Sequence, residues 1–116
     1  MSTLIMSLSS GKGTWAEVAK IMNECQFEDI ILITNSFGKE KFSHTKKFET
    51  IVLEDNLSVT KMRDKIKESL KIKDSEVAVN LTSGNGKEHM AIISALIQSG
   101  LGLRLVTLTK EGVKEI

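Results

Sequence analysis

The sequence predicts an α/β fold, a Rossmann-like three-layer sandwich with a five-stranded, mainly parallel sheet in the strand order 3-2-1-4-5. Two observations predict it. Five short apolar runs alternate with segments of helical periodicity, and right-handed crossovers between such strands place helices on both faces of a sheet. The run from Ile30 to Thr34 is also rich in β-branched residues, which is typical of a central strand covered on both sides. We expect residues 1–116 to form a single domain.

The first strand and helix are predicted near the N-terminus. Thr3 to Leu8 is an apolar run suited to a buried strand, and a loop of small residues, Ser9 to Thr14, follows it. Thr14 and Glu17 have the spacing of a capping box, which predicts the start of a helix. Apolar residues then recur on one helical face. They are Trp15, Val18, Ala19, Met22 and Cys25.

Past the second strand, the segment Asn35 to Lys47 has no clear periodicity and predicts a long loop or a stunted helix. Its lysines are expected to form a solvated rim. They are Lys39, Lys41, Lys46 and Lys47. Glu49 to Leu53 predicts the third strand, and Asn56 or Ser58 is expected to cap the next helix. That helix carries its apolar residues on one stripe, namely Val59, Met62, Ile66 and Leu70.

The fourth strand is predicted at Glu76 to Leu81, followed by a helix from Glu88 to Ser99 that Gly100 closes. Within this helix, Met90 to Ile97 is apolar on almost every side, with Ser94 as its one polar residue. Such a helix needs a second apolar partner besides the sheet, so we expect it to form a homodimer interface. Met90 itself is expected in the core. Leu103 to Leu108 predicts the fifth strand.

Composition limits the function. The formal net charge is +1 and there is no Tyr, so long nucleic acid is not an expected partner. The single cysteine, Cys25, cannot form an internal disulfide, which favours a cytoplasmic setting. Cys25 and two separated histidines make no metal-ligand set, and no cofactor is expected. No apolar run reaches the roughly 20 residues of a membrane span.

Three loops rich in glycine, hydroxyl groups and lysine follow strands 1, 2 and 4. In the predicted strand order their strands lie side by side, so the loops should meet at the carboxyl edge of the sheet. Gly84 and Gly86 are expected to adopt backbone angles closed to other residues, which would aim successive N–H groups at an anion beside a helix start. The candidate ligand-binding residues are Ser9, Ser10, Gly11, Lys12, Asn35, Thr82, Ser83, Gly84, Asn85, Gly86 and Lys87.

Two familiar phosphate motifs are not met. The segment SSGKGT is like a Walker A loop, but Met6 stands where the leading glycine belongs and Gly13 replaces the hydroxyl residue after Lys12. The dinucleotide pattern of three glycines is met at Gly84 and Gly86 but has His89 at its third position. A P-loop nucleotidase and a nicotinamide enzyme are therefore disfavoured.

The chain resembles one known family, the CARF (CRISPR-associated Rossmann fold) domains. The resemblance is strongest in VNLTSGNGKEHMAIISALIQSGLGLRLVTLT, which is similar to the family's strand 4 signature, an apolar strand running into Leu-Thr-Gly-Gly-Thr-Lys and a Met-bearing apolar helix. TLIMSLSS and DIILITNS resemble the first two strands, above all in the transcription-regulator branch. Ser83 replaces a glycine of the signature, and Lys87 lies one position later than the family's lysine.

The resemblance implies a two-fold dimer that binds a cyclic oligoadenylate, of four or six adenylates, across its interface. The positions that match the family's ligand loops are Ser9, Ser10, Thr82, Gly84, Asn85 and Lys87. Some relatives also cut the ring without metal, by attack of a ribose 2′-hydroxyl on the adjacent phosphate. In that reaction Lys87 would stabilise the developing charge and Ser9 or Ser10 would orient the reacting groups. The sequence offers no obvious general base, so any cleavage should be slow.

Two other interpretations stay open from the sequence. In one, the apolar helix forms a structural or adaptor dimer and the loops bind nothing. In the other, the chain is a small Rossmann-type enzyme that handles an unrelated nucleotide. The ring size, and whether the chain acts alone or as the sensor domain of a longer effector, are equally open.

Overall fold

The computed structural model describes residues 2–116 of the protein. Strands and helices alternate through most of the chain. The strands are β1 (Thr3–Ser7), β2 (Asp29–Thr34), β3 (Glu49–Val52), β4 (Glu76–Asn80), β5 (Gly102–Thr109) and β6 (Gly112–Glu115). The helices are α1 (Trp15–Glu24), α2 (Ser36–Lys41), α3 (Val59–Ser69) and α4 (Gly86–Gln98).

The strands form one sheet in the order β3-β2-β1-β4-β5-β6. β1 to β5 pair in parallel, and β6 pairs antiparallel with β5. The α/β class and the order of the first five strands are as predicted, whereas the predicted count of five strands is wrong. β6 was missed because its four residues, GVKE, include one bulky apolar side chain and lack the apolar run that predicts a strand.

The edge of the sheet at β6 is held by a surface ion-pair cluster. Arg104 Nε lies 2.7 Å from Glu76 Oε1, and Arg104 Nη1 lies 3.1 Å from Glu115 Oε1. The guanidinium therefore joins β4, β5 and β6. Hydrogen bonds to Glu76 and then Glu115 raise the pKa of Arg104 above its ordinary value. All three side chains are about half exposed, so solvent screens the cluster and it adds little stability.

Two apolar layers enclose the sheet, because its central strands are buried on both faces. On one side, α3 and α4 pack against each other and against alternate strand residues such as Ile5 and Val79. On the other side, α1 packs against Leu4 and Met6. Helices thus lie on both faces of the sheet, as a three-layer sandwich requires.

The helix starts differ in part from the predicted ones. Ser58 caps α3, with its side chain accepting from the Lys61 N–H, whereas Asn56 lies in the preceding turn with a φ of 64°. Thr14 precedes α1 but makes no side-chain capping bond, so the predicted capping box with Glu17 is wrong. The Thr14 hydroxyl is engaged instead by a residue from another loop, described below.

The stretch after β2 folds as a stunted helix, one of the two predicted alternatives. Asn35 caps α2 by accepting a hydrogen bond from the Gly38 N–H through its side chain. The solvated rim predicted from the four lysines is wrong at Lys46, because Lys46 Nζ donates to the Cys25 carbonyl oxygen over 2.9 Å. Lys39 and Lys41 are exposed in the last turn of α2.

Helix α4 begins at Gly86, two residues earlier than predicted. Its inner face is buried and consists of Ala91, Ile92, Ala95 and Leu96. Its outer face is apolar too, because Met90 is 64% exposed, Ile97 is 60% exposed and Ile93 is half-buried. The prediction that Met90 lies in the core is therefore wrong. We call Met90, Ile93 and Ile97 the α4 outer face.

None of the helices in residues 2–116 has the length and apolar character needed to cross a membrane.

Candidate functional site

The loops after β1, β2 and β4 meet at the carboxyl edge of the sheet, as the strand order predicts. The loop after β1 is tied to β2, because the Leu8 N–H donates to the Ile33 carbonyl and Thr34 Oγ1 donates to the Leu8 carbonyl over 2.9 Å. It is tied to the loop after β4 through a group of hydroxyls around Ser83. The edge thus behaves as one connected surface rather than three separate loops.

Ser83 lies at the centre of this cluster of hydroxyl side chains. Its side chain is fully buried and accepts two hydrogen bonds, from the Ser9 N–H over 2.7 Å and from Thr14 Oγ1 over 2.6 Å. Its own hydroxyl donates to Ser9 Oγ over 3.0 Å. With two bonds accepted and one donated, Ser83 is satisfied within the protein. It can serve a ligand through the loops that it joins.

Ser9 links this cluster to the rest of the loop after β1. Ser9 Oγ donates to the Gly11 carbonyl over 2.9 Å, and the Ser9 carbonyl accepts from Trp15 Nε1 over 2.7 Å. These bonds fold the loop back on itself and leave Ser10 and Lys12 exposed at its tip. Two predicted ligand-binding side chains, Ser10 and Lys12, are thus exposed on a loop whose backbone is held by hydrogen bonds.

The loop after β4 requires glycine at position 84. Gly84 has a φ of 101°, and a Cβ there would lie 3.0 Å from Glu88 Oε1 and 3.1 Å from His89 Nε2. His89 Nε2 lies 2.8 Å from the Ser83 carbonyl oxygen, which can only accept, so this ring nitrogen carries a proton. The Ser7 hydroxyl donates to the same oxygen. His89 and Ser7 therefore hold the turn through hydrogen bonds to this carbonyl oxygen.

Gly86 does not share the special geometry of Gly84. It is the first residue of α4, its φ is not positive, and a Cβ there would meet nothing within 4 Å. The prediction that both glycines adopt angles closed to other residues is confirmed for Gly84 and wrong for Gly86.

A carboxylate lies where the sequence predicts an anion. The Asn85 N–H donates to Glu88 Oε1 over 2.8 Å, and the Glu88 N–H donates to Asn85 Oδ1 over 2.9 Å. The two residues form the capping box of α4. One backbone donor of the predicted anion cradle is thus already bonded to a negative side chain. A phosphate at that N–H would have to displace Glu88.

A cleft of about 300 Å³ opens between this loop and the start of α3. Four of the predicted ligand-binding residues line it, namely Ser10, Asn35, Asn85 and Lys87. The lining also includes an acidic wall of Glu54, Asp55 and Glu88, which the sequence did not predict. Glu54 and Asp55 follow β3, and no motif marks the loop after that strand. The cleft is therefore mixed in charge, with Lys87 and three carboxylates in its lining.

Two further predicted residues, Thr82 and Lys12, do not line the cleft. Thr82 is exposed, and its N–H donates to Asn80 Oδ1 over 3.2 Å. Lys12 lies over aromatic rings on the α1 side, with Nζ 5.8 Å from the ring centroids of both Trp15 and Phe37. The roles of Lys87, Ser9 and Ser10 in ring cleavage stay predictions.

Within the described part of the chain, no three or more His, Cys, Asp or Glu side chains are grouped so that they could hold a metal ion.

Comparison with protein-family models found no match, and no curated protein matches the sequence. The function of the protein is therefore inferred from its own residues and geometry.

Proposed function

We propose that the chain is a dimeric sensor domain that binds a cyclic oligoadenylate of four or six units at the carboxyl edge of its sheet. The function follows the resemblance to CARF domains. The observation that carries it is the joining of the loops after β1 and β4 through Ser83, because these are the two loops that the resemblance assigns to the ligand. A fixed pair of loops binds at a lower entropic cost than two mobile ones.

The charges around the edge suggest how the ring lies. Lys12 on the β1 loop and Lys87 in the first turn of α4 are exposed cations, whereas Glu54, Asp55 and Glu88 form the acidic wall of the cleft. Like charges repel each other, so we expect the phosphates of the ring to lie nearer Lys12 and Lys87 than Glu54 and Asp55. Hydroxyls and backbone donors near Ser10 then complete the contacts.

The dimer uses the α4 outer face. Met90, Ile93 and Ile97 recur at helical spacing and form one apolar strip, and Met90 lies one turn after the loop that holds Gly84. If two copies pair in parallel along this strip, about a two-fold axis that runs along the helices, the two β4 loops approach each other. One ring can then contact both subunits, which a linear nucleotide of one unit cannot do.

The test is a calorimetric titration of the protein with cyclic tetra-adenylate and cyclic hexa-adenylate. We expect one ring per two chains and a higher melting temperature, because a ligand bound only by the folded state stabilises it. Linear tetra-adenylate and ATP are the controls and should have much smaller effects. Absence of binding to either ring would favour the adaptor dimer, and an equal response to ATP would favour a nucleotide-handling enzyme.

A matched pair of variants locates the site. Lys87→Ala should weaken ring binding by about tenfold or more, the usual effect of losing a charge-assisted contact. Lys39→Ala removes an equal charge from the exposed end of α2 and should cost at most about fivefold. Equal losses would mean that the ring responds to a diffuse charge and not to the β4 loop.

A further inference from the structure

An aromatic pair beside the β1 loop is covered by a lysine. The rings of Trp15 and Phe37 are 5.9 Å apart between centroids and inclined at 44°, so they form a wedge. Lys12 Nζ lies 5.8 Å from each centroid. Phe37 is 40% exposed, so the wedge opens to solvent under the lysine. Trp15 is half-buried and packs against the core on the α1 side of the sheet.

The indole of Trp15 is held by the same loop that the proposed ligand contacts. Its Nε1–H donates to the Ser9 carbonyl over 2.7 Å. The ring of Phe42 also packs against it edge-on, with centroids 5.6 Å apart and planes at 85°. The indole is therefore fixed in place beside the cluster of hydroxyl side chains around Ser83, at the boundary of the candidate site.

Lys12 can leave the wedge more easily than either ring can move. It lies between Gly11 and Gly13, all three exposed, and a Cβ at Gly13 would meet nothing within 4 Å. An exposed cation over a ring changes an equilibrium by about two- to fivefold. Stacking of a base on an aromatic side chain changes affinity by roughly 5- to 150-fold. A nucleobase would therefore displace the ammonium from the rings.

We propose that the wedge of Trp15 and Phe37 stacks one adenine base of the ligand, while Lys12 leaves the rings and contacts the phosphate next to that base. The identity of the ligand as a cyclic oligoadenylate rests on the function proposed above. The stacking is a property of the wedge and is testable with a single nucleotide. Each subunit of a dimer has one such wedge, so a ring would place one base in each.

The test uses the fluorescence of Trp15, which is the only tryptophan in the chain. Adenosine 5′-monophosphate and cyclic tetra-adenylate are each titrated into the protein. We expect saturable quenching by both, with the ring acting at much lower concentration. Phe37→Leu should weaken both by about fivefold or more. Phe48→Leu is the matched control, because the Phe48 ring packs against Phe42, with centroids 5.9 Å apart, and is not part of the wedge. Circular dichroism and melting curves check that both variants fold.

The outcomes separate the two proposals. Ring binding by calorimetry without quenching of Trp15 would overturn the stacking and leave the proposed function standing. Quenching by the monophosphate that depends on Phe37, without ring binding, would support the stacking and overturn the ring as ligand. Quenching that Phe37→Leu and Phe48→Leu weaken equally would overturn the stacking, and so would the absence of quenching by either compound.

Discussion

At the scale of single residues, Ser83 joins the loops after β1 and β4. Its hydroxyl bonds residues up to 74 positions away in the sequence, and no local pattern contains that information. The CARF signature that this segment resembles has a glycine at this position, which could not accept the bonds from Ser9 and Thr14.

Replacement of Ser83 by alanine should loosen the site from within. The variant leaves the Ser9 N–H and the Thr14 hydroxyl without their acceptor, so we expect the free energy of unfolding to fall by about 1 to 3 kcal/mol. Urea denaturation measures it as a lower midpoint at an unchanged slope. Thr82→Ala, at the exposed neighbouring position, is the control and should change stability by no more than about 0.5 kcal/mol. Equal effects of the two substitutions would show that the hydrogen bonds of the Ser83 side chain do not contribute to the free energy of unfolding.

Glu88 serves the fold and opposes the proposed ligand. Its carboxylate lies at the positive end of α4 and accepts from the Asn85 N–H, which stabilises the helix but occupies a donor that a phosphate would use. Stability and affinity should therefore respond in opposite directions when its charge is removed.

We expect Glu88→Gln to bind the cyclic ligand about two- to fivefold more tightly, because a repulsive charge is lost at the loop. The same variant should lose about 0.3 to 1 kcal/mol of stability, since glutamine keeps the capping box but not the charge at the helix start. Calorimetric titration and urea denaturation give the two quantities. Glu68→Gln, in the last turn of α3, should leave the affinity unchanged. A weaker affinity for Glu88→Gln would mean that the carboxylate helps to shape the bound site.

At the scale of elements, two helices show what glycine does in different settings. Gly38 lies inside α2, where glycine is normally unfavourable, and it packs tightly beneath Thr34. Thr34 Oγ1 cannot simply turn away, because it donates to the Leu8 carbonyl and so holds the β1 loop. Gly86, at the first position of α4, has open space around it.

Alanine at these two glycines should change stability with opposite signs. In Gly38→Ala the new Cβ would overlap Thr34 Oγ1 and approach Leu8 Cδ2 to 3.5 Å, so a loss of about 1 to 3 kcal/mol is expected. In Gly86→Ala the folded state is unstrained and the unfolded chain loses freedom, so a gain of about 0.4 to 1 kcal/mol is expected. Thermal and urea unfolding of the pair decide the point. A stabilised Gly38→Ala would show that α2 shifts freely on the sheet.

Local patterns predicted most elements because each strand has its own apolar run and each helix its own stripe. They failed where the pattern is short or symmetric. β6 has too few apolar residues to stand out. In α4 the stretch from Met90 to Ile97 is apolar on almost every side, so its sequence could not show that Met90 points outward. The sequence predicted which loops form the candidate site, because the strand order places those loops at one edge of the sheet. Its acidic wall and the bonds of Ser83 depend on contacts between distant segments.

At the scale of the whole molecule, the carboxyl edge and the α4 outer face are adjacent. Met90 begins the apolar strip one turn after the loop that holds Gly84, and Ile97 ends it near the opposite edge of the sheet. Leu105 lies two residues after Leu103 on β5, so both side chains are on the same face of the sheet, and Leu105 is 44% exposed there. Parallel pairing of two copies along this surface would bury the strip and bring their two β4 loops together.

A charge at the far end of the strip tests this arrangement without touching the loops. Ile97→Asp should convert a micromolar dimer into a monomer in sedimentation velocity, because an aspartate in an apolar interface loses its hydration without gaining a partner. Cyclic tetra-adenylate should then bind much more weakly, since each monomer offers only half of the contacts. Lys65→Asp places the same charge at an exposed position of α3 and should stay dimeric with unchanged affinity. If Ile97→Asp stays dimeric, the interface lies elsewhere; if the wild-type protein is itself monomeric with and without the ring, the two-fold site does not form.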